Sequence, residues 1–117
     1  STAEIELIHT QAPEKQTSGE YMGAMFFYFY TKKLQELASV LGKSEDESFF
    51  EAFLKQYKEK LNERFFDKKT LKYDNNAGLE NVLALYFDVV PREYKQQVFR
   101  NLIENIEVTY KGVPTGL

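Results

Sequence analysis

The apolar residues of this chain fall into two arrangements that alternate along its length, and that alternation limits what it can fold into. Residues 22–30 read Met-Gly-Ala-Met-Phe-Phe-Tyr-Phe-Tyr, apolar all the way round a helix and therefore suited to a buried one. Phe50, Phe53, Leu54, Tyr57, Leu61 and Phe65 instead recur at helical spacing with charged residues between them, which is a helix covered on one face. The pair then repeats. Residues 79–90 are again mostly apolar, and Tyr94, Val98, Leu102, Ile106 and Tyr110 form one stripe backed by Lys, Gln, Arg, Asn and Glu. An order of inner, outer, inner and outer helices predicts an all-α fold of two antiparallel αα-hairpins, with the inner helices packed together.

Local signals set the boundaries. Thr17-Ser18-Gly19-Glu20 has the form of a capping box, so the first helix is predicted from near Ser18 to Leu41, closed by Gly42 in the left-handed conformation. Ser44-Glu45-Asp46-Glu47 is a second such box and opens a helix to about Arg64. So short a gap between the two forces an antiparallel hairpin. Residues 65–73 place aromatics on either side of a polar turn, the pattern of a loop or short β-hairpin, and the connection extends to residue 76. Asp74, Asn75 and Asn76 offer cap residues for a third helix over about 77–87, in which Ala77, Gly78 and Ala84 allow close backbone approach. Val90-Pro91 breaks that helix and Pro91 suits the first turn of a fourth, running to about Tyr110 and ended by Gly112 and Pro114. Residues 1–16, with Ile5, Leu7 and Ile8 ahead of Pro13, read as an edge strand or an extended arm. The expected organisation is one unit over 1–117, with the hairpins at 18–64 and 77–117 and the connection at 65–76.

Composition narrows the function classes. A chain of 117 residues suits one domain with one core and is short for an enzyme with a shaped pocket. A net charge of −3 from 15 basic and 18 acidic residues provides no footprint for nucleic acid or for an anionic membrane. The longest apolar run, nine residues, falls far short of the roughly 20 that cross a bilayer. With no cysteine, disulfides and thiolate metal sites are excluded while the compartment stays unknown. No metal cluster, nucleophile triad or phosphate loop stands in the residues, so neither a metal nor another cofactor is implied. The aromatics are all Phe and Tyr, without a Trp to floor a sugar-binding cleft, and ten Phe exceed what a small bundle hides. Surplus apolar surface marks an interface or a missing neighbour. Beginning at Ser1 and stopping after Thr115-Gly116-Leu117, the chain is expected to be a piece of something longer.

In stacked hairpins the inner helices run the same way, so the starts of the first and third helices share one end of the bundle. That geometry gathers Glu20, Tyr21, Asp74, Asn75, Asn76, Glu80 and Thr115. A carboxylate pair such as Glu20 and Glu80 has the chemistry to divide acid and base roles in glycoside hydrolysis. Structural roles compete and carry more weight: Glu20 closes a capping box, and Glu80 sits in a first turn where negative charge favours the helix dipole. No residue is therefore assigned as catalytic. His9, the single histidine, has no carboxylate or hydroxyl at a telling spacing and reads as a surface residue. Lys55, Lys58 and Lys60 alternate with Glu51, Glu59 and Glu63 as a solvated helix face. The aromatic run over 26–30 reads as core before groove lining.

Taken in order, several segments carry a family resemblance. They are Gly19-Glu20-Tyr21-Met22-Gly23-Ala24-Met25-Phe26-Phe27-Tyr28; Leu37-Ala38 and Leu41-Gly42-Lys43 with Asp46; Leu61-Asn62-Glu63-Arg64-Phe65-Phe66-Asp67; residues 81–85 with Val90-Pro91-Arg92-Glu93-Tyr94; and Asn101-Leu102-Ile103, Ile106-Glu107 and Thr115-Gly116-Leu117. With their spacings, over about 100 of the 117 residues, they resemble consecutive pieces of the catalytic domain of α-L-rhamnosidases. The resemblance implies an α/α toroid of six αα-hairpins, of which this chain holds two, and inverting hydrolysis of terminal α-L-rhamnose by one Glu as acid and another as base. In the family the acid lies in a motif upstream of the part similar to residues 19–28, and the base in a Trp-Glu motif beyond the Thr-Gly pair, so the resemblance places the catalytic pair outside this chain. The substrate-side candidates it leaves are Glu20, Tyr21, Asn76, Glu80 and Thr115. Two departures bear on substrate: Gly78 stands where the family usually has Gln, and Gly112 or Val113 where it has His before Thr-Gly. The implied partners are a carbohydrate and the remaining toroid segments, or a second copy in their place. The alternative reading is a small helical interaction module without catalysis.

Overall fold

A computed structural model describes residues 18–74 and 78–111. The helices are α1 (Gly19–Val40), α2 (Ser44–Phe65), α3 (Leu79–Tyr86) and α4 (Lys95–Lys111), with the antiparallel strands β1 (Phe66–Asp67) and β2 (Lys72–Tyr73) between α2 and α3. The fold is all-α, two antiparallel αα-hairpins, as the apolar pattern predicts. The expected arm over 1–16, His9, and the segment after residue 111 lie outside the described residues.

The core forms where the hairpins meet. Tyr21, Met25 and Tyr28 of α1, Leu54 and Leu61 of α2, Phe66 and Tyr73 of the strands, Ala84 of α3, Phe87, Val89 and Val90 after it, and Val98 of α4 make one buried cluster. Helix α1 contributes more buried residues than α2, which puts it inside. It meets the second hairpin through Phe87, against which Phe29 stacks at 4.8 Å and Phe26 stands edge-on at 5.7 Å between ring centroids. The stripe on α4 is buried at Val98 and Leu102 but not at Ile106, because α4 outruns the eight residues of α3.

Helix ends show where local sequence decides and where it does not. At the end of α1, Gly42 takes φ 70°, Lys43 N–H donates to Ala38 C=O at 2.8 Å and Gly42 N–H to Ser39 C=O at 3.1 Å, the closure expected of a glycine. Helix α3 stops by the same closure without a glycine. Asp88 adopts φ 61°, Val89 N–H donates to Ala84 C=O at 2.8 Å and Asp88 N–H to Leu85 C=O at 3.1 Å. Asp tolerates the left-handed region better than most residues, so the helix ends before Val90-Pro91, and Pro91 precedes a 3₁₀ turn over Arg92–Tyr94 in place of opening α4.

Three expected caps are corrected. Helix α2 begins at Ser44, after Lys43, with no side-chain cap; the tight link leaves no room for Ser44 to stand outside, and Glu45, Asp46 and Glu47 act on the first-turn dipole instead. Helix α3 begins after Gly78, again without a side-chain cap, and a Cβ on Gly78 would meet nothing within 4 Å, so no close approach requires that glycine. Helix α1 is capped by Ser18, not Thr17: Ser18 Oγ accepts Tyr21 N–H at 3.1 Å. The reciprocal half of the box is supplied by Asp74, whose carboxylate accepts Ser18 N–H at 2.7 Å and Ser18 O–H at 3.0 Å. Glu20, free of that duty, pairs with Arg64 of α2.

Asp74 itself holds φ 55° and donates its N–H to Phe65 C=O at 2.9 Å, so the end of the strand pair clamps the start of α1. Loss of one cap bond costs about 1 kcal/mol and of a charge-assisted one about 1.5–3 kcal/mol. Asp74→Asn, which keeps a side chain tolerant of that φ, is expected to lower stability to urea by about 1–2 kcal/mol. In combination with Ser18→Ala the loss falls short of the sum; strictly additive losses would show that the clamp does not exist.

Candidate active-site end

The starts of α1 and α3 lie together, and Tyr21 joins them. Its ring is fully buried, edge-on to Phe65 at 5.2 Å and near Tyr73 at 6.1 Å, and its hydroxyl donates to Glu80 C=O at 2.6 Å. One side chain thus touches α2, β2 and α3. Glu80 is 2% exposed, while Glu20 stays on the surface in its ion pair with Arg64. Asn76, Thr115 and Asn75 lie outside the described residues. Of the gathered candidates, the structure brings Tyr21, Asp74 and Glu80 together with Ser18 beneath the rim and sets Glu20 at the rim.

A second polar layer, absent from the sequence reading, fixes the strand pair beneath this end. Asn81, fully buried on α3, accepts Tyr73 N–H at 3.0 Å and donates to Leu71 C=O at 3.0 Å. Asn62 of α2 accepts the Tyr73 hydroxyl and donates to Val89 C=O at 2.8 Å. Asn81 meets backbone groups that the short strands leave unpaired, and Asn62 ties the Tyr73 side chain to the carbonyl that follows α3. Asn81 carried a signal in the sequence, a polar residue within the mostly apolar run from Leu79 to Leu85, whereas Asn62 sits among the charged residues Lys60, Glu63 and Arg64 and carried none.

Beside the strand pair opens a cleft of about 800 Å³, lined by Asn62, Arg64, Asp67, Lys68, Lys69 and Asp74 among others. Asp67 is occupied within the turn, accepting Lys69 N–H at 2.8 Å and Thr70 N–H at 3.3 Å; those bonds hold its carboxyl below the usual range. Asp74 faces Ser18. Asp67 and Asp74 are therefore engaged in holding backbone, Glu63 also lines the cleft, and Arg64 is balanced by Glu20. Among the described residues no group of three or more His, Cys, Asp or Glu is placed to hold a metal ion.

Helical hairpins meeting at a polar end, with inner and outer helices in alternation, define this as an αα-hairpin domain. The comparison with known families is specific: the model of the bacterial α-L-rhamnosidase six-hairpin glycosidase domain matches residues 5–117, and the chain belongs to that family. It is also similar to an α-L-rhamnosidase of Formosa agariphila (strain DSM 15362), 30% identical over 100 residues, which cover 86% of this chain and 11% of that relative. The chain thus spans about a ninth of that relative's length. No solved structure matches it.

The electrostatics of Tyr21 give a pH prediction. Burial raises its phenol far above the usual range, and the charges of Tyr73, Glu80 and Asp74 add to this; burial raises Tyr73 as well. A group with a raised folded pKa contributes stability below its unfolded value, here about 10, and that stability is lost as pH climbs above it. Absorbance of the eight tyrosines is expected to rise in two phases between neutral pH and pH 12 or higher, the later one coinciding with loss of helical circular dichroism. A single phase with helicity intact would show that Tyr21 and Tyr73 are not buried as described.

Proposed function

We propose that this chain is a segment of a rhamnosidase-type glycoside hydrolase that cleaves terminal α-L-rhamnose with inversion, and that it supplies part of the substrate side and neither catalytic carboxylate. The observation that carries the reading is family membership over residues 5–117, supported by a relative described as an α-L-rhamnosidase. Inversion needs two carboxyl groups about 6.5–9.5 Å apart with a water between them. Glu20 is held by Arg64 on the surface and Glu80 is buried, an arrangement that supports positioning roles for both. In this reading Glu20, Tyr21, Asn76, Glu80 and Thr115 remain the substrate-side candidates, with Tyr21 and Glu80 in positioning roles. The two hairpins, 18–64 and 77–117, act as one unit.

The uncovered apolar surface supports the same reading. Phe26, Phe27, Tyr30, Phe49, Tyr86 and Phe99 are exposed, Tyr86 at 78%. At about 25 cal/mol per Å², a few hundred uncovered Å² cost several kcal/mol, comparable with the whole stability of a small domain. Neighbouring hairpins, or a second copy in their absence, cover these faces. The competing reading, a helical interaction module, draws on the same surface and differs in what the longer protein does.

The test compares the 117-residue chain with a version extended in frame on both sides, if the gene continues. The short chain is expected to self-associate in sedimentation and to release nothing from an aryl α-L-rhamnoside. The extended one is expected to release rhamnose, with the β-anomer appearing first in proton NMR. A stable monomer with a cooperative melt overturns the structural half. Turnover by the short chain that Glu20→Gln or Glu80→Gln abolishes overturns the catalytic half, and an extended protein that cleaves no rhamnoside leaves the interaction module.

A further inference from the structure

Away from the substrate end, at the other end of α3, four helices bring charged residues to one place. Asp88, in the left-handed closure of α3, pairs with Lys95 at the start of α4. Lys58 of α2 and Lys32 of α1 both lie within electrostatic reach of Asp88. Beside them opens a cleft of about 600 Å³ lined by Lys58, Arg92, Glu93, Lys95 and Gln96. Three cations thus line the cleft with one carboxylate, Glu93, while Lys32 lies near Asp88, the carboxylate that Lys95 pairs.

The cleft holds more positive charge than its own carboxylates balance. Lys58 is half-buried, and among the described residues neither it nor Arg92 has an ion pair. Burial lowers the pKa of the Lys58 ammonium; Asp88 opposes this, and Lys95 and Lys32 add to the lowering. Gln96 adds an amide donor in the same cleft, and α4 begins here, so the positive end of its dipole reinforces the field.

We infer that this cleft is a binding site for a dianionic oxyanion, a sulfate or phosphate group, held between Lys58, Arg92 and Lys95. Such a group matches the charge surplus, offers oxygens to several donors at once and relieves the repulsion between neighbouring ammonium groups. The ligand is either the free ion or an ester on a saccharide, since both present the same tetrahedral oxygens. The inference does not depend on the reading of the reaction.

Calorimetric titration of the full chain with inorganic sulfate, at pH 7 and constant ionic strength in chloride, is expected to show saturable binding of one ion per chain. Lys58→Met, which keeps the packing of the stem, and Arg92→Gln on the surface are each expected to weaken it at least tenfold. Lys43→Gln, remote from the cleft, leaves it unchanged. Glucose 6-sulfate competing as well as free sulfate or better assigns the ester as ligand, and competing tenfold or more weakly assigns the free ion; either supports the site. Helical circular dichroism of Lys58→Met and Arg92→Gln distinguishes lost binding from lost folding, and if one fails to fold the other decides. Absence of saturable binding, or equal binding by the folded variants, overturns the inference.

Discussion

The described structure depends on the seating of Tyr21. The first hairpin is held along the length of α1 and α2, but it meets the second through few groups, and Tyr21 sits at the centre of them with its ring against Phe65 and Tyr73 and its hydroxyl on Glu80 C=O. A buried aromatic of this size contributes about 3–5 kcal/mol against truncation, and its hydrogen bond about 1 kcal/mol more. Phe26 and Phe29 on Phe87 extend the seam by two turns. Without it, the hairpins would be two separate helical pairs, each too small to keep a core.

Around that seat the protein uses polar groups as fasteners. Asp74 completes the cap of α1 through Ser18, 56 residues earlier in the chain, and Asn62 and Asn81 pin the strand pair to α2 and α3. These contacts hold together the end of the bundle where the starts of α1 and α3 converge. The Glu20–Arg64 pair is largely exposed and contributes about 0–1 kcal/mol, so it orients the rim more than it stabilises it.

The helix order, the strand pair and the stop at Gly42 were legible because each follows from residues within one turn of one another. The features that escaped depend on distant partners or on a residue doing another's usual work. Thr17 and Ser18 are equally good caps in isolation, and Asp74 decides between them. Asp88 ends α3 where a glycine is customary, which shifts the boundary ahead of Val90-Pro91. Glu80 and Tyr21 were legible as neighbours from helix direction alone, whereas the burial of Glu80 was not, because a first-turn glutamate ordinarily faces water. The run over 22–30 reads as buried on all sides, yet Phe26, Phe27 and Tyr30 are exposed; the pattern describes a helix with more neighbours than two hairpins provide.

Native-state hydrogen exchange on the chain and on Tyr21→Phe tests the central claim, that the Tyr21 seat makes one body of the two hairpins. If it does, the slowest amides of α1 and of α3 open with the same free energy in the native chain, and Tyr21→Phe lowers both together by about 1 kcal/mol. Contradiction would come from α3 exchanging independently of α1, or from Tyr21→Phe leaving the protection of α3 unchanged.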